Sequence, residues 1–376
     1  MPVISSTLFH GSLPTHPTPT RVNYHQQPSD TIDLRFSGLL DKPSTQELTV
    51  QYRSSTNTLV VAGNGTSEDI AERLAKYPDV KVKVAISKGA HIQGDIVRAG
   101  SIRNFGTVNG ALVSKESSIE NTSSANVGSI TAKKLVENYG IVAGTIVSEE
   151  DNVLNRTDAH AGNITAKGEV RNEGTVAGAI VSEQSTVRNH QGASAGSITA
   201  KGEVRNEGTV TGAIVSTEDS VQNLENASAH SITAKGKVRN KGTVARAIVS
   251  TEDSVRNHPN ASADSITAKG EVENEGTVTG AIVSTEDSVQ NHGSASAGTI
   301  VAAGNIHNKG AANTITLTGE GAVLIVGDSA QRMATVTFEQ PNGTLVIPNG
   351  ANLNMSALEK GHPPNVITQS QWQKRT

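Results

Sequence analysis

The 376-residue chain contains no cysteine, and aromatic residues make up only 2% of it. The first absence excludes disulfides, thiolate metal sites and a cysteine nucleophile. The second means that any interior is filled by Val, Ile and Ala, which suits thin stacked layers better than a wide globular core. Excess charge is missing as well. Basic residues number 32 against 36 acidic ones, for a net charge of −4 with both signs interspersed, so neither nucleic acid nor an acidic membrane surface finds an electrostatic footprint. No apolar run approaches the ~18 residues of a membrane span. The N-terminus has no basic start followed by an apolar core, so export through a cleavable signal peptide is not expected.

What the chain does contain is a repeat. The phrase Ser-Ile-Thr-Ala-Lys-Gly-Glu-Val-Arg-Asn-Glu-Gly-Thr-Val at 197–210 has near copies beginning at Asn163, Ser231 and Ser265, a period of 34 with a stricter period of 17 inside it. Asn104, Asn121, Asn138, Asn155, Asn172, Asn189, Asn206, Asn223, Asn240, Asn257, Asn274, Asn291 and Asn308 fall on the shorter period. Two residues before each stands a Val or Ile, from Ile102 to Ile306. Strand side chains alternate with period two, so each pair points to one side, and the Asn column is expected to face inward. A second column, Ile96, Val113, Ile130, Val147 and onward to Ile300, and a third, Val108, Ala125, Val142, Ala159 and onward to Ala295, complete three inward columns. They predict a mainly β fold: a triangular parallel β-helix of 17-residue coils. Glycines such as Gly106, Gly140, Gly174, Gly208, Gly242 and Gly276 are expected at corners that need a positive φ.

The predicted organisation has five parts. Residues 1–29, rich in Ser, Thr, Pro and His, form a disordered leader. Residues 30–88 form a small α+β cap, with alternating strands at Ile32–Phe36, Leu48–Tyr52 and Val80–Ile86 and a helix capped by Thr66 or Ser67 that presents Ile70, Leu74 and Tyr77 on one face. The array occupies 89–312. A β cap covers 313–358, with strands at Val323–Val326, Val336–Phe338 and Leu345–Ile347, and 359–376 form a tail.

Candidate chemistry is sparse. Stacked Asn amides can serve as ligands or as a structural ladder in which each amide satisfies its neighbours; the ladder is the expectation. In a charged column, Lys133, Glu150, Lys167, Gln184, Lys201, Glu218, Lys235, Glu252, Lys269 and Glu286, the sign alternates and neighbours one rung apart can pair, each exposed pair being worth ~0–1 kcal/mol. The acidic pairs Glu218-Asp219, Glu252-Asp253 and Glu286-Asp287 are separated by Lys-bearing coils, which argues against calcium. His190, His258 and His292 do not fall on consecutive rungs, which argues against zinc. No catalytic residue, cofactor or metal site is assigned. No phosphate-binding loop or nucleophile elbow is present, and no single coil stands apart as an active site, so an enzyme is not expected. One column remains: Leu112, Ile146, Ile180, Ile214, Ile248 and Ile282 each precede a residue of the second column, so parity places them outside as an apolar stripe. The stripe is the candidate surface for sideways association or partner docking.

His-Ile-Gln-Gly-Asp-Ile at 91–96 and Asn-Tyr-Gly-Ile-Val-Ala-Gly-Thr-Ile-Val at 138–147 resemble bactofilins, bacterial polymer-forming cytoskeletal proteins. The resemblance covers residues 88 to about 312. It implies a right-handed β-helix that assembles into filaments and scaffolds other proteins in the cytoplasm, with itself or other proteins as partners. The array is longer, its copies are more alike, and an α+β segment stands where a bactofilin has a short tail. A second resemblance, carried by Asn-x-Gly-x-Val steps such as Asn172–Val176, is to filamentous-haemagglutinin-type repeats, and the Ser-rich, acid-poor leader resembles those of type III secreted effectors. These imply the alternative, an exported interaction protein that contacts a host or cell surface. Neither nucleic acid nor carbohydrate is expected as a partner.

Overall fold

The computed structural model describes residues 46–77, 82–327, 335–350 and 360–375. The leader at 1–29 and the strand expected at Ile32–Phe36 lie outside them. The described residues form a parallel β-solenoid of about 16 turns with coils of about 17 residues.

At its N-terminal end, β1 (Thr49–Arg53) pairs antiparallel with β2 (Thr58–Ala62). The connection turns through Asn57, whose φ of 49° is left-handed. Leu59 and Val61 of β2 point into the core. After β3 (Asn64–Thr66), the third side of this first coil is replaced by α1 (Ser67–Leu74). Thr66 opens the helix with a capping box: its hydroxyl accepts from the Asp69 N–H at 3.2 Å, and the Asp69 carboxylate accepts from the Thr66 N–H at 3.1 Å. The Thr66 N–H and, at 2.9 Å, the Thr66 hydroxyl both donate to the Asp69 carboxylate and hold it below its ordinary range. Ile70 and Leu74 are buried and fasten the helix to the core. The next strand, β4 (Lys83–Ile86), lies parallel to β2 on one side and to Ile102–Asn104 on the other, so the N-terminal segment is continuous with the array.

Within the array the Val-x-Asn strands stack without offset: Val170 on Val187 on Val204, and Asn172 on Asn189 on Asn206. The rest of each coil follows one of two patterns that alternate. In one, a continuous eight-residue strand such as Thr175–Ser182 points Val176, Ile180 and Ser182 inward. In the other, a seven-residue strand such as Ser194–Ala200 points Ala195, Ile198 and Ala200 inward, with a register shift between Ala195 and Ile198. The eight-residue pattern gains one residue within the strand and one after it and has a turn two residues shorter before it, so both patterns total 17 and the Asn period is undisturbed. The true structural unit is therefore the 34-residue pair of coils.

This alternation corrects two expectations. Leu112, Ile146, Ile180, Ile214, Ile248 and Ile282 are fully buried, each at 0% exposure, and they stack on Ile130, Ile164, Ile198 and their successors. The half-exposed residues are the ones that follow them, Val113, Val147 and Val181. The predicted stripe is core, because the eight-residue strands carry their inward residue one position earlier than a uniform 17-residue count implies. Likewise Val176 stacks on Ala195 and Val142 on Ala161; Ala159 and Ala193 lie buried in the preceding turns. The corner glycines also have another cause. None of Gly106, Gly140, Gly174, Gly208, Gly242 or Gly276 has a positive φ; a Cβ at Gly140 or Gly174 would instead fall on the carbonyl oxygens of the coil before, those of Ala125 and Thr122 or of Ala159 and Arg156. Close backbone approach, not backbone conformation, requires glycine there.

Beyond Ala312 the stack continues through Val323–Val326, Thr335–Phe338 and Thr344–Ile347, as expected. It does not stop at 358. Asn365–Thr368 lies parallel to Thr344–Ile347 with Ile367 buried, and a short helix, α2 (Gln369–Trp372), follows. The segment read as a tail thus adds a rung.

Candidate interaction surface

The Asn column is entirely internal. All thirteen residues are at most 1% exposed, and each Asn Nδ2 from Asn104 to Asn291 donates to the Oδ1 of the Asn one coil later, at 2.7–2.9 Å. In every second coil the amide is saturated. Asn206 donates to Asn223 Oδ1 at 2.8 Å and to the Ser228 carbonyl at 3.2 Å, and its Oδ1 accepts from Asn189 Nδ2 at 2.9 Å and from the Gly208 N–H at 3.3 Å. Such an amide has nothing left with which to bind a ligand, and those of the intervening coils are just as deeply buried.

A second buried polar column, not singled out from the sequence, consists of Ser114, Ser148, Ser182, Ser216, Ser250 and Ser284. Ser216 Oγ donates to the Gly202 carbonyl at 2.8 Å and accepts from the Asp219 N–H at 3.2 Å. Its period of 34, at the end of each Ile-Val-Ser or Leu-Val-Ser triplet, was the signal that could have revealed it.

The charged column does pair, but only within each 34-residue unit. Lys133 reaches Glu150 at 3.8 Å, Lys201 Glu218 at 3.6 Å, Lys235 Glu252 at 3.7 Å and Lys269 Glu286 at 3.6 Å. Asp219, Asp253 and Asp287 accept from the next backbone N–H and so serve their own turns. Among the described residues no three His, Asp or Glu side chains converge as metal ligands would.

The chain's individuality lies where the repeat is broken, on the outer face of the Val-x-Asn strands. The residues that flank and separate Val and Asn in alternate coils read Glu169-Arg171-Glu173, Glu203-Arg205-Glu207, Lys237-Arg239-Lys241 and Glu271-Glu273-Glu275. The third is wholly cationic and the fourth wholly acidic. The coil from Lys235 to Thr251 carries Lys235, Lys237, Arg239, Lys241 and Arg246 and no acid at all. Between the two bands stands Arg256, whose Nη2 donates to Glu275 Oε1 at 2.7 Å and whose Nε lies 3.2 Å from Glu273 Oε2. The bond to Glu275 raises the Arg256 pKa against the opposing effect of burial. Beside it, burial and then the Arg256 and Lys241 charges lower the pKa of His258 and favour the neutral ring. Glu271 accepts from Gln290 at 2.6 Å and Glu273 meets His292 Nε2 at 3.2 Å. Lys237, Arg239 and Lys241 take part in no ion pair among the described residues. A shallow open cleft runs between the bands, lined by Lys237, Arg239, Arg256, Glu271 and Glu273.

A second break lies on another side of the same coils. A corner otherwise occupied by Gly144, Gly162, Gly178, Gly196, Gly212, Gly280 and Gly298 holds exposed His230, Arg246 and Asp264 on three successive coils. At Arg246 and Asp264 the strands are interrupted, splitting Thr243–Val244 from Ala247–Ser250 and Ser262–Ala263 from Ser265–Ala268, whereas Ser228–Ala234 runs unbroken through His230. Asp264 Oδ1 accepts from Thr279 Oγ1 at 2.9 Å.

No helix among the described residues is long and apolar enough to cross a membrane. No protein-family model, curated protein or solved structure matches the chain.

Proposed function

We propose that the chain is a non-enzymatic structural protein, a solenoid scaffold that assembles with itself or docks other proteins along its length. The observation that carries this reading is the internal placement of the Asn column. The only functional group repeated on every coil of the array faces inward and is engaged with its own neighbours, so what the solenoid offers its surroundings is an outer lattice of charged and small polar side chains. Such a lattice suits extended, non-catalytic contact. The bactofilin-like phrases at 91–96 and 138–147 are compatible with a polymer-forming role.

The test is sedimentation of the full chain over a wide concentration range, together with fractionation of the producing cells and their medium. Concentration-dependent assembly and retention in the cells support the scaffold. A chain that stays monomeric at every concentration and collects in the medium overturns it in favour of an exported interaction protein.

A further inference from the structure

We infer that two copies of this chain pair side by side and antiparallel through the outer face of the Val-x-Asn strands, with the rung of Val255 at the centre. The inference names one mode of the self-assembly proposed above and rests on that reading only to this extent. It begins with two neighbouring units of a near-identical repeat that depart from a shared phrase in opposite directions. Glu-Val-Arg-Asn-Glu stands at 169–173 and at 203–207; at 237–241 both acids have become Lys, and at 271–275 the Arg has become Glu. The result is a band of three cations and a band of three acids.

The bands form no ion pair with each other within one chain. Val238 pairs with Val255 and Val255 with Val272, so a full rung separates them, nearly 10 Å at ~4.8 Å per rung. Arg256 on the intervening rung supplies a single positive charge, shared by Glu273 and Glu275, to a band of three acids. The cationic band receives no acid at all.

A twofold axis that runs along the strand direction through the rung of Val255 resolves both imbalances together. It reverses the order of the rungs while keeping position along each strand, so Lys237 meets Glu271 of the second copy, Arg239 meets Glu273 and Lys241 meets Glu275, and each contact occurs twice. A parallel pair would set cation on cation. Arg256 faces its own copy at the axis, but its charge is held by Glu273 and Glu275. At least the eleven rungs from that of Val170 to that of Leu345 overlap in this arrangement. At ~4.8 Å per rung and ~3.3 Å per residue over about five residues, the shared face is roughly 800 Å² per partner, the size of an ordinary specific interface.

The experiment uses the full chain at low salt and measures sedimentation velocity. The parent should be a dimer that dissociates as salt is raised, because exposed pairs are screened. K237E/K241E restores the phrase found at 169–173 and 203–207, and E273R restores it at 271–275; both should melt like the parent and bind themselves about tenfold or more weakly. E271K/E275K should also be monomeric alone, and mixing it with K237E/K241E should restore the dimer, since opposite bands then meet again. A parent that is monomeric at low salt overturns both this inference and the self-assembly reading. A parent that assembles equally well as K237E/K241E overturns the inference alone and leaves assembly to another surface.

Discussion

At the scale of the residue, the weight rests on an amide with four partners. Replacing Asn206 by Leu removes the acceptor of Asn189 Nδ2 and of the Gly208 N–H, and the donor to Asn223 Oδ1 and to the Ser228 carbonyl. Each orphaned buried group costs about 1–3 kcal/mol; allowing for local relaxation, a loss of about 3–5 kcal/mol is expected, at the upper end for single substitutions. Arg205, one residue earlier, is exposed and pairs only with half-buried Glu207 at 2.7 Å, an arrangement worth ~0–1 kcal/mol. Asn206→Leu should therefore lower the melting temperature by many degrees and Arg205→Leu barely at all. Thermal denaturation of the two variants checks the difference.

At the scale of the element, the ladder has a direction, and a one-way chain of donors must end with one unused. Asn104 Oδ1, at the first end, accepts from the Gly106 N–H at 3.0 Å. Asn308, at the last, keeps a buried Nδ2 without a partner, because the residue stacked on it is Val326. Thr has the shape of Val and carries an oxygen. Val326→Thr should accordingly be neutral or stabilising, whereas Val221→Thr, at a fully buried position with no waiting donor, should cost about 1–3 kcal/mol. If chemical denaturation finds both equally destabilising, the unused donor is not the ladder's weak point.

The same ladder shows what could be read from sequence. Asn104 to Asn308 and the Val or Ile before each were legible because both coil patterns keep the Val-x-Asn strand in one register, so a count of 17 and the parity of a strand suffice. Ile180 was misplaced because that parity does not survive a bulge: Ile180 lies four positions beyond Val176, but Ile198 only three beyond Ala195. The inward role of Leu112, Ile146 and their successors follows from the 34-residue unit. The charge bands were legible in principle, since Lys237, Lys241 and Glu273 are departures from a phrase already recognised, but their meaning depends on knowing that 237, 239 and 241 share one outer face with 271, 273 and 275.

At the scale of the molecule, the solenoid is a one-dimensional stack whose repeating object is a pair of unlike coils, and that statement can be separated from the simpler one that every coil is equivalent. Removing residues 184–217 joins Glu183 to Glu218 and deletes one coil of each pattern. An eight-residue strand, Thr175–Ser182, is then followed by a seven-residue one, Ser228–Ala234, as Thr209–Ser216 is in the parent. Asn172 comes to lie 17 residues before the amide that was Asn223, and Gly174 keeps the kind of neighbour it had. Removing only 184–200 also preserves the 17-residue Asn spacing, yet it sets Thr175–Ser182 against Thr209–Ser216, two strands of the same pattern. The corner at Gly208, which now packs against the buried turn carbonyls of Ala193 and His190, would meet a corner without that turn, and neighbouring inward residues would no longer alternate in their offset. In a stack where each coil touches only its neighbours, the first deletion removes contacts in proportion to length and the second breaks an interface outright. The 34-residue deletion should therefore melt cooperatively within a few degrees of the parent, and the 17-residue deletion should melt far lower or in two steps. Equal melting curves would mean that the coils are interchangeable and that the alternation of eight- and seven-residue strands contributes nothing to stability.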